Sequence, residues 1–461
     1  MLRFSEFRVF LALTLFVSFI GTAVLWKITI PGATNPPDIV LPLDENLFEN
    51  EGNSGPVYGD STTLGEHASR ASDLTLQDNG TRASPIIGRT GKKAMVVYAI
   101  SVTDCPKTGD LVAVLDAPAV MAYSINRVST GRFNYRFVAF VHPGAKRCTT
   151  HLAKMGYQVL IRKNPVELTQ IKTAQYRRYV QKRGCCEERE FLKLYTYTLG
   201  DADVVVSLDP DMSFLNPIDE LVEAFLVEDT SSVQSSIATM HNRPLPKRVE
   251  FLYTRDYVQM SKFSTNISKF AVQGGFFMVR PNMTNFRTLQ RIIQEGNFNG
   301  KHSGWGGLHY GGFYGDAQIQ GLLSYFYGEF HPYGTAELNP CIYNTMVTVP
   351  PLTKKGVCRY GNDTEPCYDC ANTPLSDIKF THHTVCFKPW KCYQLRNFHQ
   401  LCKDTMGEWF RMRSALERSW GLKVPEDGYL FNQTYGYCIK DPKKKHADYT
   451  AMSVDAVQTV L

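Results

Sequence analysis

No cysteine precedes Cys105, although the 461-residue chain holds 12 of them. Disulfides therefore do not hold the segment before that point. From Ile28 to Gly91 aromatics are sparse and periodicity is missing, while Pro, Ser, Thr, Asn, Gly and Asp abound. Such a segment buries too little to fold by itself and reads as a stem. Basic blocks are missing apart from Lys443-Lys444-Lys445, and Lys plus Arg exceed Asp plus Glu by only 6. That scatter argues against a nucleic-acid partner and permits an anionic small substrate. No Gly-x-Gly-x-x-Gly follows the first strand, so the dinucleotide fingerprint is excluded. The glycine-rich run 304–315 does not end in Gly-Lys-Ser/Thr; it reads as a mobile active-site loop, not a phosphate cradle. No internal repeat is present.

What is present begins with an apolar run. Val9–Trp26 is 18 residues without a charge, between Arg3 and Arg8 on one side and Lys27 on the other. That length spans a bilayer. A cleaved signal peptide is the competing reading, with Gly21 and Ala23 as the small residues of a cleavage site. With the basic flank held in the cytosol, the rest of the chain is expected in the lumen. An even cysteine count confined to the folded part, and sequons at Asn79, Asn266, Asn282, Asn362 and Asn432, agree with an oxidising, glycosylating compartment. The expectation is a single-pass type II protein of the Golgi (or ER) membrane. Its parts are a cytosolic tail 1–8, an anchor 9–26, a stem 27–91, a globular domain 92–440 with a cysteine-rich part 341–402, and a polar, frayed tail 441–461.

Apolar runs at Ala94–Ile100, Phe137–Val141, Tyr157–Ile161 and Val204–Leu208 alternate with helical stretches such as Val112–Val128. Alternation of that kind predicts an α/β fold with a mostly parallel sheet. The organising stretch is Asp201–Leu226. Val204–Leu208 suits a strand buried on both faces, and it runs into Asp209-Pro210-Asp211. Asn216 then fits a helix cap and Pro217 its first position, with Ile218, Leu221, Val222 and Phe225 on one apolar face. Downstream, Gly274–Pro281 predicts a strand. A helix over Asn285–Gln294 shows Phe286, Leu289 and Ile293 on one face. A second helix opened by Asp316 shows Ile319, Leu322, Leu323 and Phe326, and Asp316 and Gln320 sit four apart on neighbouring faces.

Asp209 and Asp211 stand where open α/β sheets bind ligands, at the carboxyl end of a buried strand. Two such carboxylates bind a hard divalent cation; the bland alternative is a turn in which each satisfies its own backbone. His382-His383-Thr384-Val385-Cys386-Phe387-Lys388-Pro389-Trp390 places an imidazole six residues before a lysine. Imidazole beside two carboxylates shifts the preferred ion from Mg²⁺ towards Mn²⁺. Lys388 offers a point charge for a phosphate, and Lys193 a second one unless it is a solvated helix lysine. Cys358, Cys367 and Cys370 have zinc-like spacing, but in an oxidising compartment a disulfide-stapled loop is the better reading.

Together these segments resemble family 8 glycosyltransferases, the glycogenin-like enzymes. Asp201–Leu221 resembles their metal-binding core and Gln273–Pro281 their acceptor-side strand. Asp316–Tyr327 resembles their Asp-x-x-x-Gln-Gly-Leu-Leu helix, and His382–Trp390 their late His/Lys-Pro-Trp segment. The matches fall in the family's order over roughly Ala94–Trp390. The resemblance implies a Rossmann-like nucleotide-diphospho-sugar transferase (GT-A) fold with a retaining, UDP-sugar-dependent activity on a glycan, protein or lipid acceptor. It implies Asp209, Asp211 and His382 as Mn²⁺ ligands, with Mg²⁺ as the alternative ion. Lys388 and Lys193 would face the diphosphate or sugar, Asp316 the donor sugar, and Gln320 the reacting carbon. Ala99, Ile100 and Ser101 would receive the uridine. Ile319 stands where the family often has a second aspartate, and the cysteine-rich part has no counterpart in glycogenin. A nucleotide-sugar hydrolase and a non-catalytic sugar-binding scaffold of the same fold are the competing readings.

Overall fold

The computed structural model describes residues 84–105, 111–182, 184–255, 271–347, 368–393, 398–424, 436–439, 447–453 and 457–460. All belong to the compact unit Gly80–Leu461. Its centre is a seven-stranded sheet of β1 (Met95–Val102), β2 (Asn134–Val141), β3 (Tyr157–Ile161), β4 (Val204–Leu208), β6 (Phe251–Arg255), β7 (Val272–Val279) and β8 (Thr335–Glu337). The spatial order is β3-β2-β1-β4-β7-β6-β8. β7 is antiparallel to both its neighbours, whereas β3, β2, β1 and β4 pair parallel, as do β6 and β8. The sheet is thus largely parallel, as an alternating strand–helix sequence requires.

Side-chain alternation divides this sheet between two cores. Val204, Val206 and Leu208 join Val96, Tyr98 and Ile100 on one face. Val205 joins Val97, Ala99 and Phe277 on the other. Every residue of β4 is buried, which is why its sequence runs apolar without alternating. Helix α1 (Leu111–Val128) covers the first face together with α2 (Thr149–Lys154) and α3 (Asp219–Leu226). Helices α4 (Met283–Glu295) and α5 (Ile319–Phe330) cover the second. Their expected apolar faces are all buried: Leu221, Val222 and Phe225; Phe286, Leu289 and Ile293; Ile319, Leu322, Leu323 and Phe326.

Two helix starts differ from the sequence expectation. Helix α3 begins at Asp219 with Ile218 as its cap. Asn216 instead donates its amide to the carbonyls of Ser376 and Ile378 at 2.9 and 2.7 Å. A long-range partner has outcompeted the local capping bond. Helix α5 begins at Ile319, so Asp316 lies in the preceding turn and not at the cap. The glycine-rich run is closely packed. Trp305 within it is fully buried, and a Cβ on Gly304 would stand 2.2 Å from the carbonyl carbon of Tyr310.

Among the described residues four disulfides join Cys105–Cys148, Cys341–Cys370, Cys386–Cys402 and Cys392–Cys438. Cys370 is thereby lost to the zinc-like set, and Cys358 and Cys367 lie outside the described residues. The expected frayed tail also differs: Asp448–Tyr449 (β11) pairs with Cys438–Ile439 (β10), and Met452 and Val460 are buried against the first core. A buried charge network fastens this end. Arg413, on helix α6 (Gln400–Ser419), lies 3.3 Å from Asp116 and 3.1 Å from Glu417, between the rings of Tyr437 and Tyr449.

The membrane expectations are corrected. Among the described residues no helix is long and apolar enough to cross a membrane. The 20-residue helix α6 has the length but carries Lys403, Asp404, Glu408, Arg411, Arg413, Glu417 and Arg418. The apolar run 9–26 lies outside the described residues. The transmembrane helix, the membrane partner and the type II Golgi or ER placement are therefore withdrawn.

Arg413→Ala leaves two buried carboxylates without their cation. We expect a loss of about 3–5 kcal/mol in urea unfolding, most of it recovered when Asp116→Asn and Glu417→Gln are added. A loss equal in the single and triple variants would mean that packing, not charge, makes this contact matter.

Candidate metal centre

Strand β4 ends at Leu208, and the next backbone N–H, that of Asp209, donates to Gly275 O on β7 at 2.8 Å. The chain then turns and forms β5 (Met212–Phe214), which pairs antiparallel with β9 (Phe380–His382). Met212 lies opposite His382, and His383 N donates to Asp211 O at 3.0 Å. This ladder places an imidazole from residue 382 beside carboxylates from 209 and 211. His382 Nε2 is 3.5 Å from Asp211 Oδ2 and 3.9 Å from Asp209 Oδ2. One ligand atom from each of the three residues lies within 4.8 Å of the others.

Two lysines flank the group. Lys388 pairs with Asp211 Oδ2. Lys193 lies 2.8 Å from Asp209 Oδ1 and 2.5 Å from Glu190 Oε1, and donates to Gly274 O at 2.9 Å. Its side chain is 6% exposed, which excludes the solvated-lysine reading. Burial acts against each charge here, and the partners overcome it. Burial tends to raise the Asp211 carboxyl, but the Lys388 ammonium and the His382 ring hold it well below the usual carboxylate range. Lys193 is likewise pushed well above the ordinary ammonium range by Asp209 and Glu190 despite burial. Lys388 is raised, against burial, chiefly by Asp211.

His383 is a different case. Burial lowers its ring to about 3, so it stays neutral, bonded to Ser213 Oγ at 3.0 Å and Thr381 Oγ1 at 3.2 Å. It braces the β5–β9 ladder. The neighbouring His382 presents Nε2 to the carboxylates, while its buried Nδ1 has no hydrogen-bond partner among the described residues. Two carboxylates and one imidazole nitrogen converging at these distances fit a divalent cation, and the nitrogen favours Mn²⁺ over Mg²⁺. With Glu190 included, three carboxylates face two lysines.

Gln320 borders the cluster through glycines. Its Oε1 accepts from Gly274 N at 3.0 Å, and its Nε2 donates to Tyr314 O at 2.7 Å. The Asp316 carboxylate is fully buried and accepts from Gly312 N at 2.6 Å, while Trp305 Nε1 donates to its carbonyl at 2.8 Å. At the end of β1, Ala99 and Ile100 point into the two cores, and Ser101 is half-buried one residue beyond the Ile100–Leu208 pair.

Three functional neighbours escaped the sequence reading. Glu190 was signalled by its spacing of three from Lys193 on a helical turn. Gly275 was signalled by a double glycine inside a strand, a mark of close approach. Tyr314, whose hydroxyl is raised well above the ordinary phenol range by burial and then by the Cys185, Cys186, Glu190 and Asp209 charges, had no local signal.

The fold and the cluster define an α/β protein with a carboxylate–imidazole cluster, a candidate cation site, at the carboxyl end of its central strand. No family model matches the chain, and no curated protein sequence matches it. Among solved structures it is similar to galactosyltransferase LgtC in complex with donor and acceptor sugar analogs. Identity there is 14%, over 73% of this chain and 100% of that one, at a TM-score of 0.39. It is also similar to mouse xyloside xylosyltransferase 1, apo form (11% identity, 63% and 97% covered, TM-score 0.35). A third is glycosyltransferase GlyE of Streptococcus pneumoniae TIGR4 (13%, 71% and 63%, TM-score 0.38).

A Cβ at position 275 would stand 2.5 Å from His382 Cε1 and 2.8 Å from Asp209 Oδ2. Gly275→Ala should therefore spread the cluster, costing about 1–3 kcal/mol of stability as overpacking does. Mn²⁺ titration should show at least tenfold weaker binding in this variant. Unchanged affinity would place the ion elsewhere.

Proposed function

We propose that the chain is a metal-dependent glycosyltransferase of the GT-A type, moving a sugar from a UDP-sugar to a glycan, glycoprotein or glycolipid acceptor. The observation that carries this reading is the convergence of Asp209, Asp211 and His382 at the end of β4, flanked by Lys388 and Lys193. The three would hold Mn²⁺, or less favourably Mg²⁺, which supplies charge neutralisation for a departing diphosphate.

The chain's own residues supply the remainder. Asp211 is nearly buried while Lys388 is 41% exposed. With Asp211 committed to a cation, the partly exposed Lys388 ammonium would be free to meet a phosphate and to stabilise the leaving group in a water-poor site. Lys193 stays tied to Glu190 and Gly274 O and fixes the Asp209 carboxylate against rotation. Ser101 and the backbone of Ala99 and Ile100 border the place for the uridine. Gln320, pinned between Gly274 and Tyr314, faces the sugar side. Asp316 acts as a positioning residue that holds the glycine turn through Gly312. Because its carboxylate is committed to that turn, a front-face route, with retention achieved by positioning alone, fits better than a covalent intermediate on Asp316.

The test is UDP release from a panel of UDP-sugars, with Mn²⁺ or chelator, for the full chain and for Asp209→Ala/Asp211→Ala. We expect release from one donor, abolished by chelator and reduced at least about 100-fold in the double variant. Free sugar in place of transferred sugar would identify a hydrolase. No Mn²⁺-dependent UDP binding in the wild-type chain would leave the scaffold reading and overturn ours.

A further inference from the structure

Eight of the ten described cysteines are paired in disulfides; Cys185 and Cys186 are not. Both are exposed, yet their sulfurs lie only 2.8 Å apart. Two thiolates on one tetrahedral zinc ion would stand about 3.7 Å apart, given Zn–S bonds of ~2.3 Å. The observed spacing is nearer to a covalent bond. The backbone turns sharply here, with φ of 62° at Cys186 and 54° at Glu187. On the inner side, Cys185 Sγ lies 3.2 Å from Glu190 Oε2, and the other oxygen of Glu190 holds Lys193. Lys193 in turn holds Asp209.

We propose that Cys185 and Cys186 are a vicinal dithiol–disulfide couple, closed by a small-molecule disulfide, and that its state sets how strongly Glu190 draws Lys193 from Asp209. Only the second half rests on the cation-site reading above.

The step balances. The Cys186 thiolate attacks one sulfur of the oxidant, whose S–S bond breaks and releases one small thiol. Cys185 then gives up its proton and attacks the Cys186 sulfur, releasing the second small thiol. The two protein sulfurs lose two electrons and two protons, which reappear on the two thiols. Hydrogen bonding between the pair pulls Cys186 below the ordinary thiol range and raises Cys185, so the attacking and resolving sulfurs are distinguished. Adjacent residues have Cα atoms about 3.8 Å apart, shorter than the usual disulfide span of about 4.4–6.8 Å, which makes the closed form easily reduced and suited to switching.

Closure removes the thiol hydrogen that faces Glu190 Oε2. The buried carboxylate then turns more fully to Lys193 and draws its ammonium from Asp209, which is left open to a cation. Mn²⁺ binding should tighten on oxidation by up to about tenfold, the worth of one hydrogen bond to a charged group.

The experiment treats the full chain with graded oxidised glutathione. Mass spectrometry of the peptide holding both cysteines should show loss of two hydrogens, with no retained glutathione. Phenylarsine oxide, which bridges two adjacent thiols, should label the reduced chain at this peptide and not the oxidised one. Mn²⁺ titration by electron paramagnetic resonance should show the tightening in wild type and not in Cys185→Ser/Cys186→Ser. Stable glutathione adducts, no arsenical labelling, or zinc held stoichiometrically by the reduced pair would overturn the couple; these readouts need no variant. Equal Mn²⁺ affinity in both states, or an equal shift in the double variant, would overturn the coupling. If neither state binds Mn²⁺, the cation reading and the coupling fall together, while the peptide mass still decides the couple.

Discussion

The short antiparallel ladder between β5 and β9 is the contact on which the site depends. Asp209 and Asp211 come from one end of a buried strand, but His382 arrives from about 170 residues later. Only the pairing of Met212 with His382 brings the two together. A slip of one residue would turn His382 away and present Thr381 or His383 in its place. The ladder is braced against that slip from both sides. Phe214 stacks on Phe380 at 4.8 Å, and Ser213, Thr381 and His383 form a closed polar triad beneath. Just beyond, the Cys386–Cys402 and Cys392–Cys438 bonds bracket Lys388 and tie its segment to α6 and β10. The cysteine-rich part thus works as a clamp that holds His382 in register.

In the parallel half of the sheet, Val204–Leu208 was legible because it is buried on both faces and runs apolar without alternation, and the half-exposed edge strand Tyr157–Ile161 because its short run is apolar and partly β-branched. Val204–Leu208 and Tyr157–Ile161 fall where their apolar runs lie. The helix faces were legible from the 3.6-residue spacing of their apolar positions, all of which are buried. What the sequence concealed was settled by long-range polar contacts. Asn216 looked like a cap because nothing local competes for its amide, and the competing carbonyls lie about 160 residues away. The tail from 447 onward looked polar because its few apolar residues are scattered, yet Tyr449 finds Asp116 and Arg413. Asp209, Asp211, His382, Lys388 and Lys193 were named from motif order and do converge. Glu190 and Tyr314 were not, since a residue whose role is to face another residue's charge carries no motif of its own.

Charge explains why this cluster can exist with so little exposure. A buried carboxylate is costly unless paired. Here Lys193 takes Asp209 Oδ1 and leaves Oδ2 towards His382 Nε2, whereas Lys388 pairs with Asp211 Oδ2, the same oxygen that faces the imidazole. The two pairs differ in a way that matters. Lys193 is buried and bound at three points, so it is part of the fold. Lys388 is partly exposed, contacts the Trp390 ring at 5.8 Å and has room to leave. A divalent ion that displaced both ammonium groups would leave Lys193 uncompensated except by Glu190, whereas displacing Lys388 alone sends a mobile cation towards solvent.

That asymmetry assigns Glu190 more weight than its distance from the ligands suggests. It is the second anchor of Lys193, and the balance between Glu190 and Asp209 sets how far the Asp209 carboxylate is neutralised by that lysine. Strengthening the Glu190 side frees Asp209; weakening it returns the lysine to the ligand. Whatever touches the far oxygen of Glu190 is therefore linked, through Lys193, to Asp209 without approaching it. In this chain that position belongs to Cys185, a side chain whose hydrogen can be removed chemically.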